Sequence, residues 1–385
     1  MTDKNTNGQN PLAPVRRRSR LWHLEALRGI AALHVVLNHI FNSYLNVKHS
    51  LWNIPFRFGQ EGVLIFFLLS GFVICYAHGA PGEDAGGFKT YLFKRGRRIY
   101  PIFVLSLGLA YAIQCLGSNH LVPMDFRSLA GNLLMLQDNP NRSGVFVLPF
   151  ADNEPLWSLS YEWWFYMMFY PINRWVPASK QKYLVMFLCA LGLSGNAFIP
   201  NTVFNFLVFF PIWWAGVEMA REFTATGNLT IKRQGAMLLL LMAPALYCGV
   251  GVWRSQAAEI HISYLTFPFM GFRYFGMAVT FILIMFAWKR FGFAGFKLTI
   301  GQFQGVGAIS YALYLFHFPL ICDLRLLSGE TSPIFYIDLF LRIVIAFALA
   351  WLTERHLQKW INSATNPWLV LLAKNQTAGG ELAGK

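Results

Sequence analysis

Charge is scarce in this chain. Asp, Glu, Lys and Arg supply 13% of its 385 residues, about half the 25% usual in soluble domains. Acidic residues are scarcer still, 18 against 32 basic ones. The five cysteines (Cys75, Cys115, Cys189, Cys248, Cys322) stand singly in apolar stretches without a C-x-x-C pair, which excludes a disulfide framework or a zinc ribbon and leaves them as packing residues. Ligand spacing such as H-x-x-x-H on one helix face is missing too, so no metal is expected. No repeat of 20 to 50 residues is visible, and no polar stretch is long enough for a soluble domain.

What fills the chain instead is apolar and aromatic: 55% hydrophobic, 17% aromatic, mean hydropathy +0.42. These values describe an all-α, polytopic integral membrane protein. The net charge of +14 is spread in short clusters between apolar runs rather than on one soluble face, which fits a lipid bilayer as the charged partner and excludes nucleic acid.

Runs long enough to cross about 30 Å of hydrocarbon fall near 22–45, 58–78, 99–117, 155–176, 183–200, 202–220, 235–253, 266–288, 307–325 and 334–354, about ten transmembrane helices in all. Lys and Arg accumulate on the cytoplasmic side of membranes. With the N-terminus inside, the inner segments carry 23 of these residues and the outer ones six. Both termini are therefore expected in the cytoplasm. The tail before the first run ends in RRRSR, and that run is too polar for a cleaved leader and is followed by no A-x-A-like site, so it reads as a retained signal anchor. The organisation expected is a basic cytoplasmic tail over 1–20, a transmembrane domain over 21–356, and a partly disordered cytoplasmic tail over 357–385. The longest outer segment, about 118–154, is turn-rich and a candidate lid or docking surface.

The first run, LEALRGIAALHVVLNHIF, holds Glu25, Arg28, His34 and His39. On a helix, eleven residues turn through about 1100° and rise roughly 16 Å, so Arg28 and His39 share one face. Glu25 lies close to that face and His34 points away. An ionisable side chain deep in a span costs about 2.5 to 3.5 kcal/mol on insertion scales and normally faces protein or a water-filled cavity. A functional face is the reading that covers His39, whereas snorkelling to the interface accounts equally well for Glu25 and Arg28 alone.

The stretch LEALRGIAALHVVLNH resembles the first-helix signature of the membrane acyltransferase 3 family, an Arg and a His separated by ten residues. EGVLIFFLLSGFVI (61–74), YLFKRGRRIYPIFVLSL (91–107), PLWSLSYEWWFYMMFYP (155–171) and ISYALYLFHFPL (309–320) follow in the family's order. The resemblance implies a multi-pass enzyme of the inner (plasma) membrane. Such an enzyme moves an acyl group, commonly acetyl from acetyl-CoA, to a hydroxyl of a cell-surface or exported glycan, such as a polysaccharide or a lipid-linked saccharide, or of a small molecule. It implies His39 as the catalytic His with Arg28 its motif partner and Glu25 beside them. Arg95 and Arg98 form the R-x-x-R pair linked to acyl-CoA.

The residues bear that chemistry. A His near its unperturbed pKa of about 6.5 can take a hydroxyl proton at neutral pH, and guanidinium groups hold phosphates in bidentate fashion. Lys94 and Arg97 complete the KRGRR cluster, which positive-inside anchoring would also explain. Glu162, Trp157, Ser160, Tyr314 and His317 are candidate acceptor-binding residues; pairing of Glu162 with Arg273 or Arg342 for structure is the alternative. A secondary transporter or glycan-lipid flippase, where buried charges mark a path, is the competing functional class.

The helical phase generates a test. His34→Ala is expected to retain most acyl-transfer activity and His39→Ala to abolish it, with both proteins inserted normally. Equal losses would place the functional face elsewhere on the helix.

Overall fold

The computed structural model describes residues 21–45, 56, 58–78, 87–260, 266–327 and 332–382. The basic tail expected over 1–20 lies outside them. The described residues form helices joined by turns, with one isolated β-bridge, Gln137 to Val147. In chain order they are α1 (Trp22–Asn38), α2 (Gly59–His78), α3 (Gly87–Ser118), α4 (Phe126–Leu133), α5 (Trp157–Trp175), α6 (Ala178–Phe198), α7 (Thr202–Thr226), α8 (Ile231–Ala257), α9 (Phe269–Arg290), α10 (Gln304–Gly307), α11 (Ser310–His317), α12 (Ser332–Leu352) and α13 (Gln358–Leu382).

Among the described residues, seven helical stretches are long and apolar enough to cross a membrane, or eight when the pair broken at 76° around Ala308 and Ile309 is taken as one span. Helices α5 and α6 occupy the positions expected for spans four and five but are not among them. Two expectations change in detail. The third helix begins at Gly87 rather than near 99, so the KRGRR cluster lies within a 32-residue helix and not at its mouth. The segment expected to be a partly disordered tail continues as α13, and the stretch from Pro333 to Leu372 is one 40-residue helix. Its docking on α3 supplies the reason: Arg97 donates to the Thr365 hydroxyl at 3.3 Å and the Asn366 amide oxygen at 3.1 Å.

Lipid tails are as apolar as leucine, so helices inside a membrane associate through close packing rather than through escape from water. One such close contact is α2 against α7. A Cβ on Gly71 would lie 2.0 Å from the Trp213 carbonyl oxygen, and one on Gly216 would lie 2.0 Å from that of Leu68. The two backbones touch there. Around the crossing, Phe165, Phe169, Phe210, Trp213 and Trp214 form a continuous aromatic core.

In hydrocarbon every backbone polar group needs an internal partner, and the chain meets this where proline removes a donor. Pro101 provides no N–H for the carbonyl of Arg97, which instead accepts from the Gln358 side chain at 3.1 Å. Pro319 leaves the carbonyl of Leu315 free, and the Asn153 amide donates to it at 3.0 Å. Among the described residues there are three π-helical turns, His39–Tyr44, Phe318–Asp323 and Thr353–Leu357. Such turns arise where the regular ladder is interrupted and recur at functional sites.

The segment between α3 and α5 is packed down rather than loose. Asp138 pairs with Arg142 at 2.8 Å, accepts from Tyr161 at 2.9 Å and takes the Asn205 amide at 3.0 Å. The Arg142 guanidinium stands 4.4 Å from the Trp157 ring centroid and 4.8 Å from that of Tyr161. Burial alone would lower its pKa; the neighbouring Asp138 carboxylate and Tyr161 hydroxyl reverse this and hold it above the usual value.

The α2–α7 contact predicts a selective loss of stability. Gly71→Val, which must push two backbones apart, is expected to cost about 1–3 kcal/mol. Gly108→Ala, where a Cβ meets open space, is expected to cost nothing. Unfolding midpoints of the detergent-solubilised variants check the contrast.

Candidate active site

A cavity of about 250 Å³ lies between α1, α2, α3, α5 and α11. Contacts among its lining residues sort it into two ends. One is polar and basic, made by Arg28, Ser70, Arg95, Arg98, Glu162, Tyr166 and Tyr311. The other is mostly apolar, made by Val63, Phe66, Phe67 and Leu159 with Ser158 and Tyr314.

At the basic end the three arginines are held differently. Arg98 is committed to a two-pronged bond with Glu354, at 2.6 and 2.9 Å, and that carboxylate is borne by the third π-helical turn. Its guanidinium also stands 5.1 Å from the Tyr311 ring centroid. Arg28 and Arg95 have no carboxylate partner among the described residues. Arg95 leans over the Tyr91 ring at 5.7 Å, and its Nε is buried without a hydrogen bond. Two unneutralised guanidiniums in a concave, partly desolvated site suit a polyanion.

Glu162 faces them across the cavity. It accepts from Ser70 at 2.6 Å and from the Tyr166 hydroxyl, and Ser70 and Tyr166 are themselves 2.9 Å apart. Neither Arg273 nor Arg342 is its partner: Arg273 pairs with Glu61 on α2, and Arg342 pairs with Asp338 at 2.9 Å. The structural pairing weighed for Glu162 is thus corrected, because both arginines are taken by carboxylates nearer to them.

Beyond the apolar end stand the two histidines. His39 opens the first π-helical turn and His317 immediately precedes the second. Their ring centroids are 5.2 Å apart, and Phe318 packs edge-on to His39 at 5.1 Å. Neither lines the cavity. Tyr314 stands between, 5.8 Å from the His317 ring, with its hydroxyl donating to the Pro155 carbonyl at 2.9 Å and bonded to Ser158 at 2.7 Å. Near this end, outside the membrane, burial and the neighbouring Asp152 raise the Glu154 carboxyl above the usual carboxylate range.

The sequence candidates therefore divide. Arg28, Arg95, Arg98, Glu162 and Tyr314 meet around one cavity, and His39 and His317 meet each other one ring beyond it. Glu25, Lys94 and Arg97 are outside the lining, and Arg97 is turned to α13. Two acceptor-binding candidates are placed elsewhere by their own contacts. Trp157 lies beneath the Arg142 guanidinium, which occupies the face a sugar would need. Ser160 is fully buried and its hydroxyl lies 2.6 Å from both the Gln137 and Trp157 carbonyls. His34, as its phase requires, turns from this face and lies 3.1 Å from the Phe58 carbonyl. Sequence reasoning passed over Ser70, Tyr166, Tyr311 and Glu354. Ser70, Tyr166 and Tyr311 stand inside quoted motifs without a signal of their own, and Glu354 lies outside them all.

Residues 21–369 match the family model described as an acyltransferase domain. The chain belongs to the acyltransferase family. It is 26% identical over 340 residues to "Acyltransferase MdmB" of Streptomyces mycarofaciens, covering 81% of this chain and 82% of that protein. It is 27% identical over 196 residues to "Putative acetyltransferase ORF330" of Acidianus two-tailed virus, covering 49% and 52%. No solved structure matches it. This acyltransferase is therefore an enzyme with multiple apolar helices, and the transporter reading gives way to it.

The contrast between the two arginines is testable in this acyltransferase. Arg95→Ala is expected to fold normally and to weaken binding of an anionic acyl donor. Arg98→Ala is expected in addition to lower the unfolding midpoint, since Glu354, whose side chain is 5% exposed, loses its partner at a cost of about 1–3 kcal/mol. An Arg98→Ala protein as stable as wild type would show that Glu354 finds another donor.

Proposed function

We propose that this acyltransferase moves an acyl group, acetyl first of all, from cytoplasmic acyl-CoA to a hydroxyl of a cell-surface or exported polysaccharide or glycolipid. The observation that carries the donor is the basic end of the cavity, where Arg28 and Arg95 form no ion pair with a carboxylate among the described residues. CoA offers a pyrophosphate and a 3′-phosphate, and arginine forks match both. The word acetyltransferase in the name of one relative agrees with acetyl. The glycan acceptor rests on the family resemblance and on the polar outer segment between α3 and α5.

In this reading the chain spans the inner membrane ten times with both ends in the cytoplasm, as the distribution of Lys and Arg favours. The arginines hold the donor near the cytoplasmic face, and the thioester extends along the cavity toward Tyr314 and the histidines. His39 takes the acceptor hydroxyl's proton as its oxygen bonds to the thioester carbon. The carbon–sulfur bond then breaks, and the same proton returns to the departing thiolate. Glu162, bound by Ser70 and Tyr166, keeps one carboxylate among the guanidiniums and supplies an acceptor for a donor N–H or hydroxyl.

The experiment uses inside-out membrane vesicles with acetyl-CoA labelled in the acetyl carbon. Label is expected in extracted glycan with wild-type protein and not with His39→Ala. Absence of label from glycan and protein alike, with the protein folded and glycan present, would rule out acetyl-CoA as donor.

A further inference from the structure

For His39 to act as base, the nitrogen meeting the hydroxyl must carry a lone pair, and a neutral imidazole has a lone pair on one nitrogen and a proton on the other. Which nitrogen is which follows from the partner of the one that faces away. His317 has the properties of that partner. Its Nδ1 lies 2.8 Å from the carbonyl oxygen of Tyr314 and 3.2 Å from that of Leu313. Carbonyl oxygens only accept, so Nδ1 bears the proton and Nε2 is left as a lone pair. That Nε2 is buried and has no hydrogen bond, on a residue with 0% exposure. A buried polar atom left without a partner calls for a functional account.

The ring beside it is His39, with centroids 5.2 Å apart. An N–H···N bond of about 2.9 Å between two imidazoles set edge to edge places their centroids roughly 5.2 Å apart. Catalytic hydrogen bonds in proteins without substrate are often misaligned and tighten in the substrate complex. We infer that His317 is the positioning residue of the transfer: its Nε2 accepts the N–H of His39 and so leaves the lone pair on the His39 nitrogen that faces the hydroxyl. This rests on the reading of His39 as the base.

The mounting of His317 suits that task. Pro319 and the π-helical turn open the backbone just after it, and the freed Leu315 carbonyl is taken by Asn153. Arg342 binds the carbonyls of Ile321 and Leu324 and, from the same guanidinium, the Tyr44 hydroxyl at the end of the His39 turn. One side chain thereby fixes both histidine-bearing turns relative to each other.

The test compares His317→Gln with His317→Asn in the labelled-acetyl assay. The Gln side chain reaches to where Nε2 stood and can accept from His39, but it cannot take up a proton at neutral pH. Asn reaches only as far as Nδ1 and keeps a donor for the Tyr314 carbonyl, which preserves the fold. His317→Gln is expected to retain turnover within about tenfold, and His317→Asn to lose roughly a hundredfold or more in kcat with an unchanged KM for acetyl-CoA.

Wild-type turnover in His317→Asn would overturn the inference, as would a His317→Gln protein as inactive as His317→Asn, which would make His317 itself the proton acceptor. These outcomes differ from failure of the functional reading, in which wild-type protein transfers no acetyl group at all.

Discussion

The site depends on how the chain deals with backbone that is not helical inside a hydrocarbon layer. A carbonyl without a partner there costs several kcal/mol, so each interruption of a helix has to be met by a donor from elsewhere in the protein. Arg342, Asn153 and Gln358 are those donors. Arg342 and Asn153 meet carbonyls on either side of His317, and Gln358 meets the one freed by Pro101 just before Arg98. The π-helical turns begin at His39 and just after His317, and the two rings lie 5.2 Å apart.

Charge is distributed by the same logic. Asp138 with Arg142, Asp338 with Arg342, Glu61 with Arg273 and Glu354 with Arg98 commit four cations to four carboxylates. These pairs tie distant segments together: α2 to α9, and α3 to the turn joining α12 and α13. Against that background Arg28 and Arg95 differ, since they face a cavity and form no ion pair among the described residues. The scarcity of acidic residues in the sequence makes this possible. With 18 acids for 32 bases, the chain pairs what it needs for its structure and leaves guanidinium charge for something else.

Much of this was legible before any coordinates. The apolar runs located the long helices, and the phase of Arg28 and His39 put them on the inward face of α1, because a period of 3.6 residues is a strong constraint over eleven positions. The limits of such reasoning also have physical causes. Polarity suggested that α3 begins after KRGRR, yet the helix runs through it, since α13 packs alongside and supplies the partners that solvent would otherwise provide. The break before α11 falls in a stretch whose composition suits an unbroken helix. Trp157 and Ser160 stand in a motif that carries Glu162, but α5 turns them to the packed segment that follows α4, and only the identity of their neighbours, Arg142 and Gln137, decides this. The meeting of His39 with His317 joins positions 278 residues apart, and nothing in either local stretch encodes it.

The bond from Asn153 to the Leu315 carbonyl links the segment outside the membrane to the helix bearing His317. Loops are the parts of proteins that exchange most freely between relatives, and here such exchange meets a restriction. A chimera carrying another protein's α3–α5 segment would have to present an amide or an equivalent donor at position 153, or leave a bare carbonyl one turn from the reaction centre. Replacement of this segment is thus restricted to versions that keep this donor, which makes a single asparagine the junction between the α3–α5 segment and the turn that carries His317.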